Sequence, residues 1–170
     1  SLECLVLDEE YPYVVLHTDE GFTGFGECFR RGPYVSKAVI ETVFAPLVIG
    51  KSPFDSEEIW DSMFKAGAVA GPLGALLTAA AGVDLAIWDL KGKILDTPIY
   101  NLIGGKRREN IKVYASSLGR DIAPKDEAKR VAHFRDQGFS AYKMHSAVPG
   151  KIDDPGDLTI ESVKAIRDEV

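Results

Sequence analysis

Apolar residues return along this chain at two different spacings, and the switches between them mark its elements. Over 79–94 the spacing is helical. Val83, Ala86, Ile87, Leu90 and Ile94 recur at i, i+3, i+4, i+7 and i+11 and make one stripe. Asp89 and Lys93 lie four apart on another side, acid first, the favoured order for a helical pair. Thr97 then caps a short helix with Pro98 as its first residue, and Gly104 and Gly105 end it.

Before the long helix the spacing drops to two. Residues 13–18 and 22–29 read as strands joined by Asp19, Glu20 and Gly21, with Gly21 at a turn position that needs positive φ. Gly24 and Gly26 share one face of the second strand, and Phe25, Glu27 and Phe29 share the other. Phe29 stands where the third glycine of a phosphate-binding G-x-G-x-x-G would be, so the glycines read as room for a close-packed helix. A helix over 34–48 presents Val35, Ala38, Val39, Thr42 and Val43. Asp55, Ser56, Glu57 and Glu58 read as a capping box opening a helix through Phe64, whose apolar side is Ile59, Met63 and Phe64. Residues 67–83 carry no charge, yet they are too few for a bilayer span, rich in Gly and Ala, and interrupted by Pro72. They read as a tightly packed buried helix.

After residue 105 strand and helix alternate. Strands are expected at 111–116 and 139–145 and helices at 124–137 and 158–170. Pro124 opens the first helix, Gly138 ends it, and Ala128, Val131, Ala132 and Phe134 are its buried side. Val163 and Ile166 face inward on the second helix, with Asp157 as its cap. Such an order implies parallel strands with crossover helices.

The chain has 170 residues, 45% hydrophobic and 27% charged, enough for a real core in one domain or two small ones. A net charge of −6 excludes a nucleic-acid or anionic-membrane partner of the basic-patch kind. Two cysteines, Cys4 and Cys28, without C-x-x-C spacing, fit a reducing, cytoplasmic compartment rather than a disulfide scaffold. Neither end resembles a targeting segment.

The chemical candidates are few. Lys143 and His145 share one face of the second late strand with Phe139 and Ala141. Facing into a barrel, they would sit at the C-terminal end of a strand, where such barrels place their active sites; facing out, they are solvated. Histidine exchanges protons near neutrality, and a cationic lysine beside it would lower its pKa. The polar loop 28–34 carries Arg30, Arg31 and Tyr34, and by themselves Arg30 and Arg31 read as two solvated arginines beside a Gly-Pro turn. His17 and His133 read as surface or satisfied histidines, and Asp8, Glu9, Glu10, Asp153 and Asp154 as solvated loop charges. Asp84 and Asp89, five apart on a helix, do not face each other. No set of three oxygen ligands for a metal can be assembled from these residues.

One long match gives these candidates a context. The segment GVDLAIWDLKGKILDTPIYNLIGG, 82–105, resembles the signature helix of the mandelate racemase and muconate-lactonizing branch of the enolase superfamily, and TDEGFTGFGE, 18–27, resembles two strands of its capping domain. The resemblance implies an α+β capping domain over 1–105, followed over 106–170 by the first β/α units of a TIM-type barrel left incomplete in this chain. It also implies that the family's first capping strand and part of a second specificity loop are missing or shortened before Ser1, that capping loops close over the barrel mouth, where Arg30, Arg31 and Tyr34 would meet a substrate carboxylate, and that a longer polypeptide carries the rest. Lys143 matches the first lysine of the family's Lys-x-Lys motif, and His145 replaces the second. The implied cofactor is Mg²⁺, held by acidic residues beyond residue 170. The implied activity is proton abstraction α to a carboxylate, on a small-molecule carboxylate such as a sugar acid, in a homo-oligomer. Dehydration leads, since loss of the second lysine weakens a two-base racemase. Racemisation, epimerisation or cycloisomerisation, and a non-catalytic capping or oligomerisation fragment, are the alternatives.

Overall fold

Three antiparallel strands come first in the computed structural model, which describes residues 1–68, 71, 73–120, 122–145 and 158–169. They are β1 (Leu2–Leu7), β2 (Tyr11–His17) and β3 (Thr23–Glu27), in the order β1-β2-β3. The chain then runs through α1 (Pro33–Val39), a π-helical turn (Ile40–Phe44), α2 (Ala45–Val48), a 3₁₀ turn (Pro53–Asp55), α3 (Ser56–Ala68), α4 (Ala75–Ile94) and α5 (Ile99–Leu102). The chain separates into two compact units, Ser1–Arg107 and Arg108–Val170.

Helix α4 is the centre of the first unit. Its predicted stripe is buried: Val83, Ala86, Ile87 and Leu90 are at most 1% exposed. They meet Cys4, Val14, Ile40, Phe44, Ile59 and Met63 in one core. Gly24 and Gly26 serve the close approach expected of them. A Cβ on Gly24 would collide with the Ala86 carbonyl, and one on Gly26 with the Gly82 carbonyl. Gly82 returns the constraint, because a Cβ there would run into the Cys28 sulfur. Burial pushes the Cys28 thiol up to about 12, with Cys4 a lesser cause.

Strand β1 precedes the two strands read from the sequence, where the resemblance implied a first capping strand missing or shortened. It pairs with β2 from Leu2 opposite Leu16 to Leu7 opposite Tyr11. The hairpin turns through Asp8 and Glu9 at φ of 48° and 58°, with the Glu10 amide donating to the Leu7 carbonyl at 3.0 Å. The alternation of Leu2, Cys4 and Val6 with Glu3, Leu5 and Leu7 is the signal for it. The second hairpin has Gly21 at φ 85° as expected.

Both edges of this sheet are closed by an i,i+4 ion pair on a helix. At β1, the Lys37 ammonium donates to the Cys4 carbonyl at 2.5 Å and the Glu41 carboxylate accepts the Cys4 amide at 3.2 Å. At β3, Asp89 accepts the Phe25 amide at 2.8 Å and Lys93 donates to the Thr23 carbonyl at 2.7 Å. The Asp89–Lys93 pair read from the sequence is present at 2.6 Å. Unpaired edge groups invite a foreign strand, and here side chains take the amide and carbonyl of Cys4, the amide of Phe25 and the carbonyl of Thr23.

The helix over 34–48 differs from expectation in its face. Ser36, Ile40, Phe44 and Val48 are buried, whereas Val35, Ala38 and Thr42 are exposed and Val39 and Val43 half-buried. Pro46 has no amide to donate, and the chain under-winds just before it: the Ala45 amide bonds the Ile40 carbonyl, five residues back. Residues four apart therefore stay on one side. The capping box is also displaced. Ser52 accepts the Phe54 amide at 3.2 Å, and α3 starts at Ser56 and continues to Ala68, with Phe64 exposed. Helix α4 begins only at Ala75. In α5, Pro98 is the capping residue and Ile99 the first helical one, while Thr97 instead accepts from the Asn101 amide group at 3.0 Å.

The second unit carries β4 (Ala115–Ser116), α6 (Pro124–Asp136), β5 (Tyr142–Lys143) and α7 (Thr159–Glu169). Strands β4 and β5 are parallel, with Ala115 opposite Tyr142 and Ser116 opposite Lys143. The strands are shorter than expected because the described ladder has only these two pairs, and Ile111 and Val113 are exposed. Ala128 and Val131 are buried, and Ala132 and Phe134 half-buried. On α7, Ser162 is buried while Val163 is exposed, so the inward face is displaced from the expected one; Ile166 is half-buried. Asp153, Asp154 and Asp157 lie outside the described residues.

Candidate active site

The late parallel strands bring His145 to the end of β4. Ala115 N donates to Ala141 O at 3.1 Å and Ser117 N to Lys143 O at 3.0 Å, which fixes the register. The His145 Nδ1 then lies 2.5 Å from the Ser117 carbonyl oxygen, and the ring is half-buried. Lys143 is exposed on β5. Tyr142 alternates with Lys143, and its ring lies 5.8 Å from Phe134 of α6.

Below the strand ends is a buried polar group that the sequence did not announce. Ser117 is 0% exposed and Glu127 4%. The Tyr142 hydroxyl donates to Glu127 Oε1 at 2.7 Å, and the Gly119 amide donates to the Ser117 hydroxyl at 3.1 Å. Burial raises the Tyr142 phenol, the Ser117 hydroxyl hydrogen-bonded to it pulls the other way, and Glu127 adds to the rise. The available signal was the strand alternation that turns Tyr142 toward the helix carrying Glu127.

Arg30, Arg31 and Tyr34 belong to the first unit, Lys143 and His145 to the second. Arg31 is exposed, and Tyr34 is 60% exposed in the first turn of α1. Gly32, at φ 73°, turns the chain into that helix. Arg30 pairs with Glu10 at 3.0 Å, so neither is a free solvated charge. His17 bonds Thr23 at 2.9 Å and lies 3.5 Å from Glu3, and His133 bonds Gln137 at 3.0 Å. Asp84 and Asp89 have separate surroundings: burial raises Asp84, partly offset by Lys91, while Asp89 serves β3. Lys91 itself is buried, donates to the Ser56 hydroxyl, and lies 4.3 Å from the Trp88 ring centroid. Among the described residues no three His, Cys, Asp or Glu side chains are grouped to hold a metal ion. No single helix among them is long and apolar enough to cross a membrane.

Residues 6–104 match the family model for the mandelate racemase / muconate lactonizing enzyme N-terminal domain. A D-galactonate dehydratase family member, RspA, of Cellvibrio japonicus is 37% identical over 136 residues, 78% of this chain and 33% of that protein. A D-mannonate dehydratase of Novosphingobium aromaticivorans is 35% identical over 162 residues, 87% and 39% respectively. Among solved structures, a mandelate racemase/muconate lactonizing protein of Paracoccus denitrificans PD1222, complexed with magnesium, superposes with a TM-score of 0.82 at 27% identity. That match covers 99% of this chain and 49% of the other. The chain thus spans 33% to 39% of the length of these two curated relatives.

Proposed function

The chain belongs to the mandelate racemase / muconate lactonizing enzyme family of the enolase superfamily, and we propose on that premise that it supplies the capping domain and the first β/α units of a TIM-type barrel to a sugar-acid dehydratase. The observation that carries this reading is the Lys143-x-His145 pair at the C-terminal end of β5, with the His145 ring held against β4. Two similar proteins named as sugar-acid dehydratases support the choice among the family's reactions.

The substrate class is a small polyhydroxy carboxylate. Arg30, Arg31 and Tyr34 are assigned to its carboxylate and hydroxyl groups, Arg30 by exchanging its partner Glu10 for the substrate. Lys143 contributes positive charge. His145 carries a proton at the reacting carbons. In the overall reaction the proton α to the carboxylate is removed, the β C–O bond breaks, and the β-hydroxyl leaves with a proton as water. The resulting enol ketonises to a 2-keto acid. Magnesium is the proposed cofactor of the intact enzyme. The described residues do not themselves form a ligand set for it. Assembly as a homo-oligomer is part of the same reading.

In the full-length protein, His145→Asn is expected to lower kcat/KM for 2-keto acid formation from a sugar acid by about 100-fold or more, the usual scale for losing a general acid or base. An unchanged kcat/KM would remove His145 from the mechanism.

A further inference from the structure

We propose that Ser117, braced by Tyr142 and Glu127, is a positioning residue that holds His145 in the tautomer protonated at Nδ1, leaving Nε2 as the ring's proton-accepting atom. The inference rests on the reading of His145 as the proton carrier and goes one layer behind it.

A carbonyl oxygen only accepts, so the contact between the Ser117 oxygen and His145 Nδ1 requires a proton on Nδ1. In a neutral ring the lone pair then sits on Nε2. The direction of this bond matters only if the carbonyl cannot swing away, and Ser117 is tied at its other polar groups too. Its amide donates to the Lys143 carbonyl at 3.0 Å. Its hydroxyl accepts the Gly119 amide at 3.1 Å and lowers the pKa of the neighbouring Tyr142 phenol, which itself donates to Glu127 at 2.7 Å. Ser117 and Glu127 are buried and Tyr142 is half-buried. Glu127 Oε2 has no hydrogen-bond partner among the described residues, so the phenol is the attachment shown for that carboxyl group. Tyr142 and Glu127 lie on the helix side of the strand. The brace therefore acts on His145 only through Ser117.

The test uses the full-length protein and reads the ring directly. Side-chain ¹⁵N NMR of His145, above the pH at which the ring titrates, is expected to show Nδ1 protonated and Nε2 bare. Tyr142→Phe keeps the ring against Phe134 and removes only the hydroxyl, and Ser117→Ala keeps the carbonyl and removes the side-chain tie. Each is expected to mix in the Nε2-protonated form. Each should also lower kcat about 10-fold, the lower end for groups that orient a functional histidine, with KM little changed. A wild-type ring protonated at Nε2 overturns the proposal, whatever the variants do. So does a Tyr142→Phe protein with both tautomer and kcat unchanged. If the Nδ1 tautomer is found but His145→Asn leaves kcat/KM intact, the positioning stands and the reading of His145 as proton carrier falls.

Discussion

The two units solve the same problem, burying a sheet under helices, to different degrees. In the first, 20-residue α4 lies across β2 and β3 with glycines at the contact, and both sheet edges are sealed by side chains. In the second, two strands pair over two residues and Ile111, Val113, Tyr114 and Leu118 stay 55–78% exposed. Yet the first unit's candidate chemistry is a few arginine and tyrosine side chains near one loop, and the second holds the Lys-x-His pair. A capping domain that stands on its own core can present loops without depending on the reacting centre for its stability.

Three substitutions test that division. The largest effect is expected from Gly26→Ala. Its Cβ would displace backbone of α4, which cannot yield as a side chain can, so the first unit should lose about 3 kcal/mol or more, or fail to fold. Urea unfolding followed by tryptophan fluorescence measures it, and a near-neutral result would refute the close contact. Next is Phe44→Ala in the core, expected to cost about 3–5 kcal/mol. Tyr114→Ala in the second unit, measured like the other two on residues 1–170, is the paired control, expected within about 0.5 kcal/mol. Equal losses would erase the contrast between the units.

The smallest effect concerns the β1 edge. The Lys37 ammonium, hydrogen-bonded to Glu41, holds that carboxyl below its ordinary value of 4.5, and the Cys4 amide adds to this. A carboxyl lowered in the folded state stabilises fully above its unfolded pKa and loses that contribution as pH falls through the folded value. Glu41→Gln should therefore flatten the acid side of a plot of Tm against pH, while leaving Tm near neutrality only slightly lower. An acid limb as steep as in the unsubstituted protein would show that the pair does not govern the edge.

Legibility in the sequence follows the same division. The α4 stripe, its Asp89–Lys93 pair, the Gly21 turn and the glycine face of β3 could all be read, because each depends on residues near one another in the chain. What escaped depends on something distant. Strand β1 was set aside because the resemblance placed the family's first strand before Ser1, although Leu2, Cys4 and Val6 alternate correctly. The buried face of the helix over 34–48 is Ser36, Ile40, Phe44 and Val48; a helical period allows that face as well as the one carrying Val35 and Val39, and only packing against the rest of the unit chooses between them. At the candidate site, Lys143 and His145 were visible as a pair. Ser117, Tyr142 and Glu127 were not, since only the pairing of β4 with β5 puts the first of them beside His145.

The order in which these parts leave the ribosome gives the edge seals a second meaning. Lys37 follows Cys4 by 33 residues, so the lock on β1 can form early, whereas Lys93 follows Thr23 by 70. At a synthesis rate of about 5–20 residues per second, that interval is roughly 4–14 s. For that time the nascent hairpins have neither their helix nor the lock on β3. The open flank of β3 is the place where a neighbouring nascent chain could add a strand, so the window for misassembly closes only when α4 has been made.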